Sequence, residues 1–381
     1  MKLRSGMRLL LIAVLGFSVS CGRGVADKIP APDAVDREAR RLMAKEDVKG
    51  MALALIDEGA VVHVAAYGHR NVERDLALEI DTIMYGASLT KTAFAYMVLQ
   101  LVDEKLFDLD RPLDEYLSQP IPSYEDYTDL AGDDRWRTLT GRHVLTHSTG
   151  FANFRWLEED GKLQFHFKPG DRYAYSGEGL YVLQFALEEG LGLDVKVEMQ
   201  RRVFDRFGMS NTSMQWRPDF AENLADGYAM DGSYEPHDER SNVSAAGSMD
   251  TTIEDQARMW SGILQGDGLS VTSRAELVRS QLNIFSAHQF PTLVDDRDER
   301  AAQIGLSAGL GLVMFGEGDD KVWFKGGHNP WTGNMLICQE GKRRCIVLLA
   351  NSVRAELIYP DLVAFALGDV DMPWWWQYHY E

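Results

Sequence analysis

Apolar and polar positions alternate with a period of two over residues 51–68, on either side of Asp57-Glu58-Gly59-Ala60, and this pattern predicts a β-hairpin. The stretch that begins at Ser88 has a different character. Counting in threes and fours from Lys91 gives Phe94, Val98, Leu101 and Val102, while the other faces carry Ala95, Met97 and Leu99. A helix apolar nearly all round must be buried, so residues 88–104 are expected to form a core helix. Helical periods recur over 32–44, 141–147, 177–189, 195–207 (stopped by Gly208), 252–264, 273–279 and 357–367. Between them, 310–315, 321–324, 335–339 and 345–351 read as strands. Strands thus occupy both ends of the chain and helices its middle. That order predicts an α/β (α+β) fold with an antiparallel sheet flanked by helices. The sheet lobe would come from about 35–85 and 250–368, with a mainly helical lobe, about 86–249, inserted between. The tail from Pro373 to Glu381 is rich in aromatics and is expected to pack against the body, with substrate binding as the lesser alternative.

Composition narrows the partners. A formal charge of −19 opposes both a nucleic-acid surface and an anionic-lipid surface, which leaves small molecules, or cell-wall peptides and esters, as substrates. The N-terminus carries Lys2, Arg4 and Arg8 and then an apolar run too short for a comfortable span, which is the pattern of a signal peptide over residues 1–20. Phe17-Ser18-Val19-Ser20 before Cys21 makes Cys21 a lipidation candidate and a possible membrane tether; cleavage after Ala26 is the alternative, and either implies export to the periplasm or cell envelope. The catalytic unit would then span 27–381. Cys338 and Cys345 flank a polar turn between two apolar runs and should face each other across a hairpin, as a disulfide or as two buried thiols. A tight two-residue turn at Gly341-Lys342 would leave them at a hydrogen-bonded pair, less suited to bridging.

Two serine patterns compete for the chemistry. Gly305-Leu306-Ser307-Ala308-Gly309 spells G-x-S-x-G, but an apolar β-type run follows where a nucleophile elbow needs a helix. Ser88-Leu89-Thr90-Lys91 places a hydroxyl and an amine on one face at the start of the buried helix. Burial favours the neutral amine, turning Lys91 into a candidate base, and the helix N-terminus offers positive potential beside Ser88. The plain alternative is a serine N-cap with a lysine reaching to the surface. His143 and His147 have i, i+4 spacing but lack the glutamate and third ligand of a zinc site, so neither a metal nor any other cofactor is expected.

The segment around Ser88, with LTHSTGF (residues 145–151), PGDRYAYSGEGLYVLQFAL (169–187), FGMSNTS (207–213) and SAAGSMDTTIEDQARM (244–259) in order, resembles the serine β-lactamase and penicillin-binding-protein superfamily. The likeness is to its class C β-lactamase-like branch of esterases and D-amino-acid peptidases. It implies a β-lactamase/DD-peptidase-like fold, with Ser88 as nucleophile and Lys91 and Tyr175 as proton carriers. Lys325 would supply charge near Tyr175, and the backbone N–H groups of Ser88 and His328 would form the oxyanion hole. In the second motif Gly177 stands where the family has asparagine; in the third, Lys325-Gly326-Gly327, Gly326 replaces a hydroxyl residue. Gly177, Gly326 and Gly327 are the expected substrate-binding positions. The two departures favour an esterase or D-amino-acid peptidase over an efficient β-lactamase, with an exported binding lipoprotein of weak activity as the non-enzymatic alternative.

Overall fold

The computed structural model describes residues 28–378, so the expected signal segment 1–20 and Cys21 lie outside the described residues. After helix α1 (Pro32–Glu46) comes the long hairpin, β1 (Gly50–Asp57) and β2 (Ala60–Asn71), followed by the short strands β3 (Leu76–Ala77) and β4 (Met84–Tyr85). Its turn is Glu58-Gly59, both at positive φ (52° and 83°), the conformation that lets two residues reverse a twisted ribbon. The middle of the chain carries α2 (Leu89–Asp103), α3 (Gly141–Leu145), α4 (Gly177–Phe185), α5 (Val195–Met199) and the pair β5 (Gly227–Tyr228) and β6 (Tyr234–Glu235). Then follow β7 (Asp250–Thr251), α6 (Ile253–Leu264), α7 (Val271–Leu277), β8 (Leu282–Asn283), α8 (Glu299–Gln303), β9 (Ser307–Ala308) and β10 (Val313–Phe315). The chain ends with β11 (Val322–Asn329), β12 (Thr332–Gln339), β13 (Arg344–Ala350), α9 (Tyr359–Leu367) and α10 (Trp374–Tyr378).

Nine strands form one antiparallel sheet in the order β3-β2-β1-β13-β12-β11-β10-β9-β8. The two ends of the chain meet at β1 and β13, from Met51 opposite Ala350 to Ile56 opposite Cys345. Both faces of this sheet are covered, which is why its central strands are apolar at nearly every position. Alternate residues go to separate cores. Ala52, Ala54, Leu336, Val347 and Leu349 pack with α2 and α6, while Met51, Leu53, Met335, Ile346 and Leu348 pack with α1 and α9.

Several expected boundaries move, each for a visible reason. The strand expected over 321–324 continues through Lys325-Gly326-Gly327 to Asn329, because β12 supplies a ladder partner for every residue out to Thr332. Conversely, the run expected over 310–315 becomes strand only from Val313, since Gly311 takes φ +74° and gives its N–H to the Leu145 carbonyl. The helical runs at 177–189 and 195–207 each pass from α into a π turn, at Ala186–Gly190 and Gln200–Phe204. Ser307 of the G-x-S-x-G pattern lies in β9, opposite Met314 and Asn283, and is buried. Cys338 and Cys345 are directly opposite and disulfide-bonded. Their connection is a four-residue loop, 340–343, with Arg343 in the left-handed region. The closely spaced pair, with a Cα–Cα separation of 4.1 Å, is therefore of the non-hydrogen-bonded kind, not the kind a two-residue turn would produce.

Helix α2 is enclosed as its pattern requires: every residue from Leu89 to Leu101 is buried. Its start is pinned by the Thr92 hydroxyl, which donates to the Gly311 carbonyl at 2.6 Å. A Cβ added at Gly311 would lie 2.9 Å from the Ala95 Cβ and 3.0 Å from the Lys91 carbonyl oxygen, neither of which can give way without moving the helix. Gly311→Ala should therefore cost about 1–3 kcal/mol of stability in urea unfolding and lower catalytic activity in the fraction that remains folded. Wild-type stability and turnover would show that α2 is not held there.

Candidate active site

Ala87, immediately before α2, adopts φ +46°, a conformation an alanine holds only when its surroundings enforce it. Ser88 follows at the N-cap position with helical dihedrals, and its side chain accepts no capping hydrogen bond. The hydroxyl is instead committed to other side chains. Lys91 Nζ lies 3.0 Å from Ser88 Oγ, and the Tyr175 hydroxyl donates to the same oxygen at 2.8 Å. Lys325, on β11, donates from Nζ to the Tyr175 oxygen at 3.2 Å. Both amino groups lie over the Tyr175 ring, at 4.9 Å for Lys91 and 4.4 Å for Lys325. The four side chains come from α2, from the loop before α4 and from β11. They meet where the helical lobe closes on the sheet.

Electrostatics follow from enclosure. No carboxylate of the described residues hydrogen-bonds Lys91 or Lys325, and both are buried. Burial lowers Lys91 to about 7, so near neutral pH a large share of it is free amine. One of its N–H groups is held by the Ala246 carbonyl at 2.5 Å, leaving the lone pair for the Ser88 proton. Lys325 is pushed well below its usual value by burial and then by the charge of Lys91. Tyr175 is raised, again by burial, with its hydrogen bond to Ser88 working the other way. Burial thus favours the neutral form of all three groups, and Tyr175 is held as a phenol.

The wall behind Tyr175 is His147, whose ring lies 4.2 Å away at 30°. Its Nδ1 accepts the Ser176 N–H at 3.2 Å, and burial, followed by the charges of Lys325 and Lys91, holds it far below the usual imidazole range. His143, one turn earlier, closes a capping box with Thr140 at the start of α3. The two histidines thus have separate packing duties.

Strand β10 pairs with β11 only through Val322–Phe324, so from Lys325 onward that edge of β11 is open toward α2. A Cβ at Gly327 would stand 3.3 Å from the Ser88 nitrogen and 3.0 Å from the Gly86 carbonyl, which makes glycine the residue that keeps the space before Ser88 clear. His328 follows on the same edge; its ring Nδ1 is 2.9 Å from Glu356 Oε1. Burial opposes its charge, but the hydrogen bond and charge of Glu356 prevail and raise it above the usual histidine value.

Ser88 and Tyr175 open into a cleft of about 870 Å³. The two glycine departures are explained by what fills their places. A Cβ at Gly177 would meet a Phe154 ring carbon at 2.4 Å, and one at Gly326 would meet Gln377 Nε2 at 2.6 Å. Phe154 lines the cleft, stacked on the exposed Trp156 at 4.1 Å. Asp238, Glu239 and Glu356 also line it. Arg240 is there too, but its guanidinium is bound at 2.5 Å to the buried Asp250. Sequence reasoning missed His147, Ala246 and Phe154 as parts of the site, and reached Gln377 only through the lesser alternative for the aromatic tail. His147 and Ala246 stand within family-like segments and could have been inferred from those; Phe154 and Gln377 carry no motif.

The chain has relatives among known proteins. The chain is 26% identical over 260 residues to the unguisins hydrolase ungD of Aspergillus violaceofuscus, covering 61% of this chain and 45% of that protein, so it spans about half of that relative's length. It is 24% identical over 302 residues to the D-alanyl-D-alanine-carboxypeptidase/endopeptidase AmpH of Escherichia coli K12, covering 76% of each. In fold it is similar to the octameric penicillin-binding protein homologue from Pyrococcus abyssi, with a TM-score of 0.69, 19% identity and coverage of 89% of this chain and 78% of that one. The family model described as Beta-lactamase matches residues 35–363, and this chain belongs to that family.

Proposed function

We propose that this protein is an exported serine hydrolase that cleaves uncharged esters through an acyl-enzyme on Ser88. The observation that carries the reading is the continuous contact chain Lys91–Ser88–Tyr175–Lys325 at the floor of the cleft. Neutral Lys91 takes the Ser88 proton as Oγ attacks the carbonyl. The Ser88 and His328 N–H groups receive the developing oxyanion, a contact whose loss costs about a hundredfold to a thousandfold in rate in comparable sites. Tyr175, between Oγ and Lys325, passes the proton to the departing alcohol. Water then attacks the acyl group by the same relay in reverse, and serine, lysine and tyrosine return to their starting states. The disulfide between Cys338 and Cys345 supports export to an oxidising compartment.

The charge of the cleft favours esters over D-alanyl peptides and β-lactams, both of which carry a carboxylate. Asp238, Glu239 and Glu356 line the cavity, and neither cation of its wall is free to receive a carboxylate: Arg240 is shared between Asp250 and, at 3.7 Å, Asp238, and His328 is paired with Glu356. Apposing like charges costs several kcal/mol, so a substrate carboxylate would meet opposition rather than a receptor. On the acyl side Phe154 stands where the missing second-motif amide would reach, which suits an apolar acyl group.

Ser88→Ala should abolish covalent labelling by a fluorophosphonate, read by intact mass; equal labelling of variant and wild type would remove Ser88 from the mechanism. For a neutral ester, kcat/KM should rise with pH through about 7 as Lys91 loses its proton, because the free amine is the active form. A profile flat between pH 5 and 9 would contradict Lys91 as base. Finally, a neutral ester should be preferred over the analogue bearing a carboxylate on its alcohol portion by about tenfold or more, and Glu356→Gln should narrow that gap. Efficient turnover of a cephalosporin without turnover of short p-nitrophenyl esters would reverse the assignment of substrate.

A further inference from the structure

The match to the Beta-lactamase family ends at residue 363, yet Gln377 and Tyr378, in α10, line the cleft that holds Ser88. This short helix is clamped rather than draped. Trp376 is fully buried, its ring 5.8 Å from Tyr173 and 6.2 Å from Phe324. Its indole N–H donates to Ser286 Oγ at 3.2 Å, and its carbonyl accepts the Gln289 N–H at 3.0 Å. Three of these partners adjoin the Ser88–Tyr175–Lys325 contact. Tyr173 is two residues before Tyr175, Phe324 immediately precedes Lys325, and Gln289 precedes Phe290, whose ring stands edge-on to Tyr175 at 5.3 Å. Trp376 thereby fixes its neighbour Gln377 relative to both proton-handling groups.

Gln377 is only 8% exposed, and its Oε1 is buried without a hydrogen-bond partner among the described residues. Because Oε1 is buried, the Nε2 end is the part of the amide left to reach a ligand in the cleft. Its Nε2 end lies 2.6 Å from where a Cβ on Gly326 would be, so the carboxamide fills the volume that a third-motif side chain would take. The loss of a hydroxyl at 326 and the presence of an amide from the C-terminus are two sides of one arrangement.

We propose that Gln377 is a specificity-determining residue, whose carboxamide donates an N–H to an uncharged oxygen on the alcohol portion of the substrate. The placement follows from β11: Lys325 and Tyr175 serve the leaving oxygen, and Gly326 is the next residue along the strand. An uncharged acceptor is required because Asp238, Glu239 and Glu356 line the same cavity. This assignment rests on Ser88 being the esterase nucleophile.

The test uses two esters that differ only by an ether oxygen or a methylene in the alcohol portion, with the full-length protein. Gln377→Met keeps the length of the side chain and removes the amide. It should lower kcat/KM about tenfold more for the oxygen-bearing ester than for the methylene ester, chiefly through KM. Gly326→Ala, which leaves Gln377 in the chain but pushes its amide aside without adding a hydroxyl, should produce the same selective loss, so the outcome does not depend on Gln377→Met folding. The losses in the double variant should not add, because both changes remove one contact. Equal losses on the two esters, or none, in variants that retain fluorophosphonate labelling would overturn the role of Gln377 alone. Failure of the wild type to turn over either ester, or labelling that persists in Ser88→Ala, would instead overturn the esterase reading on which it rests.

Discussion

The site depends on the desolvation of one lysine. Lys91 sits in the first turn of a helix buried on every side, against an unpartnered-by-acid cluster of hydroxyl, phenol and second amine. A surface lysine three residues from a serine would remain an ammonium ion and do no more than decorate a helix. Enclosure brings the same amine to about 7, within reach of neutral pH, and makes it able to accept a proton. The covered sheet, the close approach of Gly311 and the Ala246 carbonyl all serve that enclosure. Burying an amine without a carboxylate opposes folding, since the ionised form must be given up or held dry. The large double core on either side of the sheet is what tolerates it.

On the proposed function the cleft joins a floor that follows the family motifs to walls that do not. Ser88, Lys91, Tyr175 and Lys325 meet there in one contact chain, while both polar positions that the motifs lack are occupied from other parts of the chain. An aromatic ring, Phe154, takes the space beside Gly177, and an amide, Gln377, takes the space beside Gly326. The carboxylates that line the cleft add a sign to this shape. On that reading substrate choice would reside in segments outside the motifs, where loops and termini can vary without disturbing the contact chain.

Two of the eight non-glycine residues at positive φ among the described residues flank the Ser88–Tyr175 contact. Ala87 and His147 both hold positive φ, one immediately before the serine and the other under the Tyr175 ring. Such conformations persist only where surrounding contacts impose them. In this protein the Gly86 and Ala87 carbonyls take up the N–H groups of Leu89 and Thr90, and the Thr90 hydroxyl also bonds the Ala87 carbonyl. The turn into α2 is thus closed without using the Ser88 hydroxyl, which stays available for chemistry.

The period of the apolar residues sufficed to identify the hairpin, the buried helix α2 and most of the later strands, because each element must show one face or two to a core. The motif spacing likewise singled out Ser88, Lys91, Tyr175 and Lys325, which the tertiary structure brings into one contact chain. Other features were decided only by contacts between distant segments. Lys325-Gly326-Gly327 is strand because β12 lies beside it, although glycines by themselves argue for a turn. Tyr175 is held as a phenol by burial, which depends on how much water the fold excludes. The aromatic tail both packs and lines the cleft, since Trp376 and Gln377 are neighbours on a helix whose seat is built from residues 173, 286, 289 and 324. Local pattern records what each segment must bury; only the assembled fold determines which distant groups are buried together.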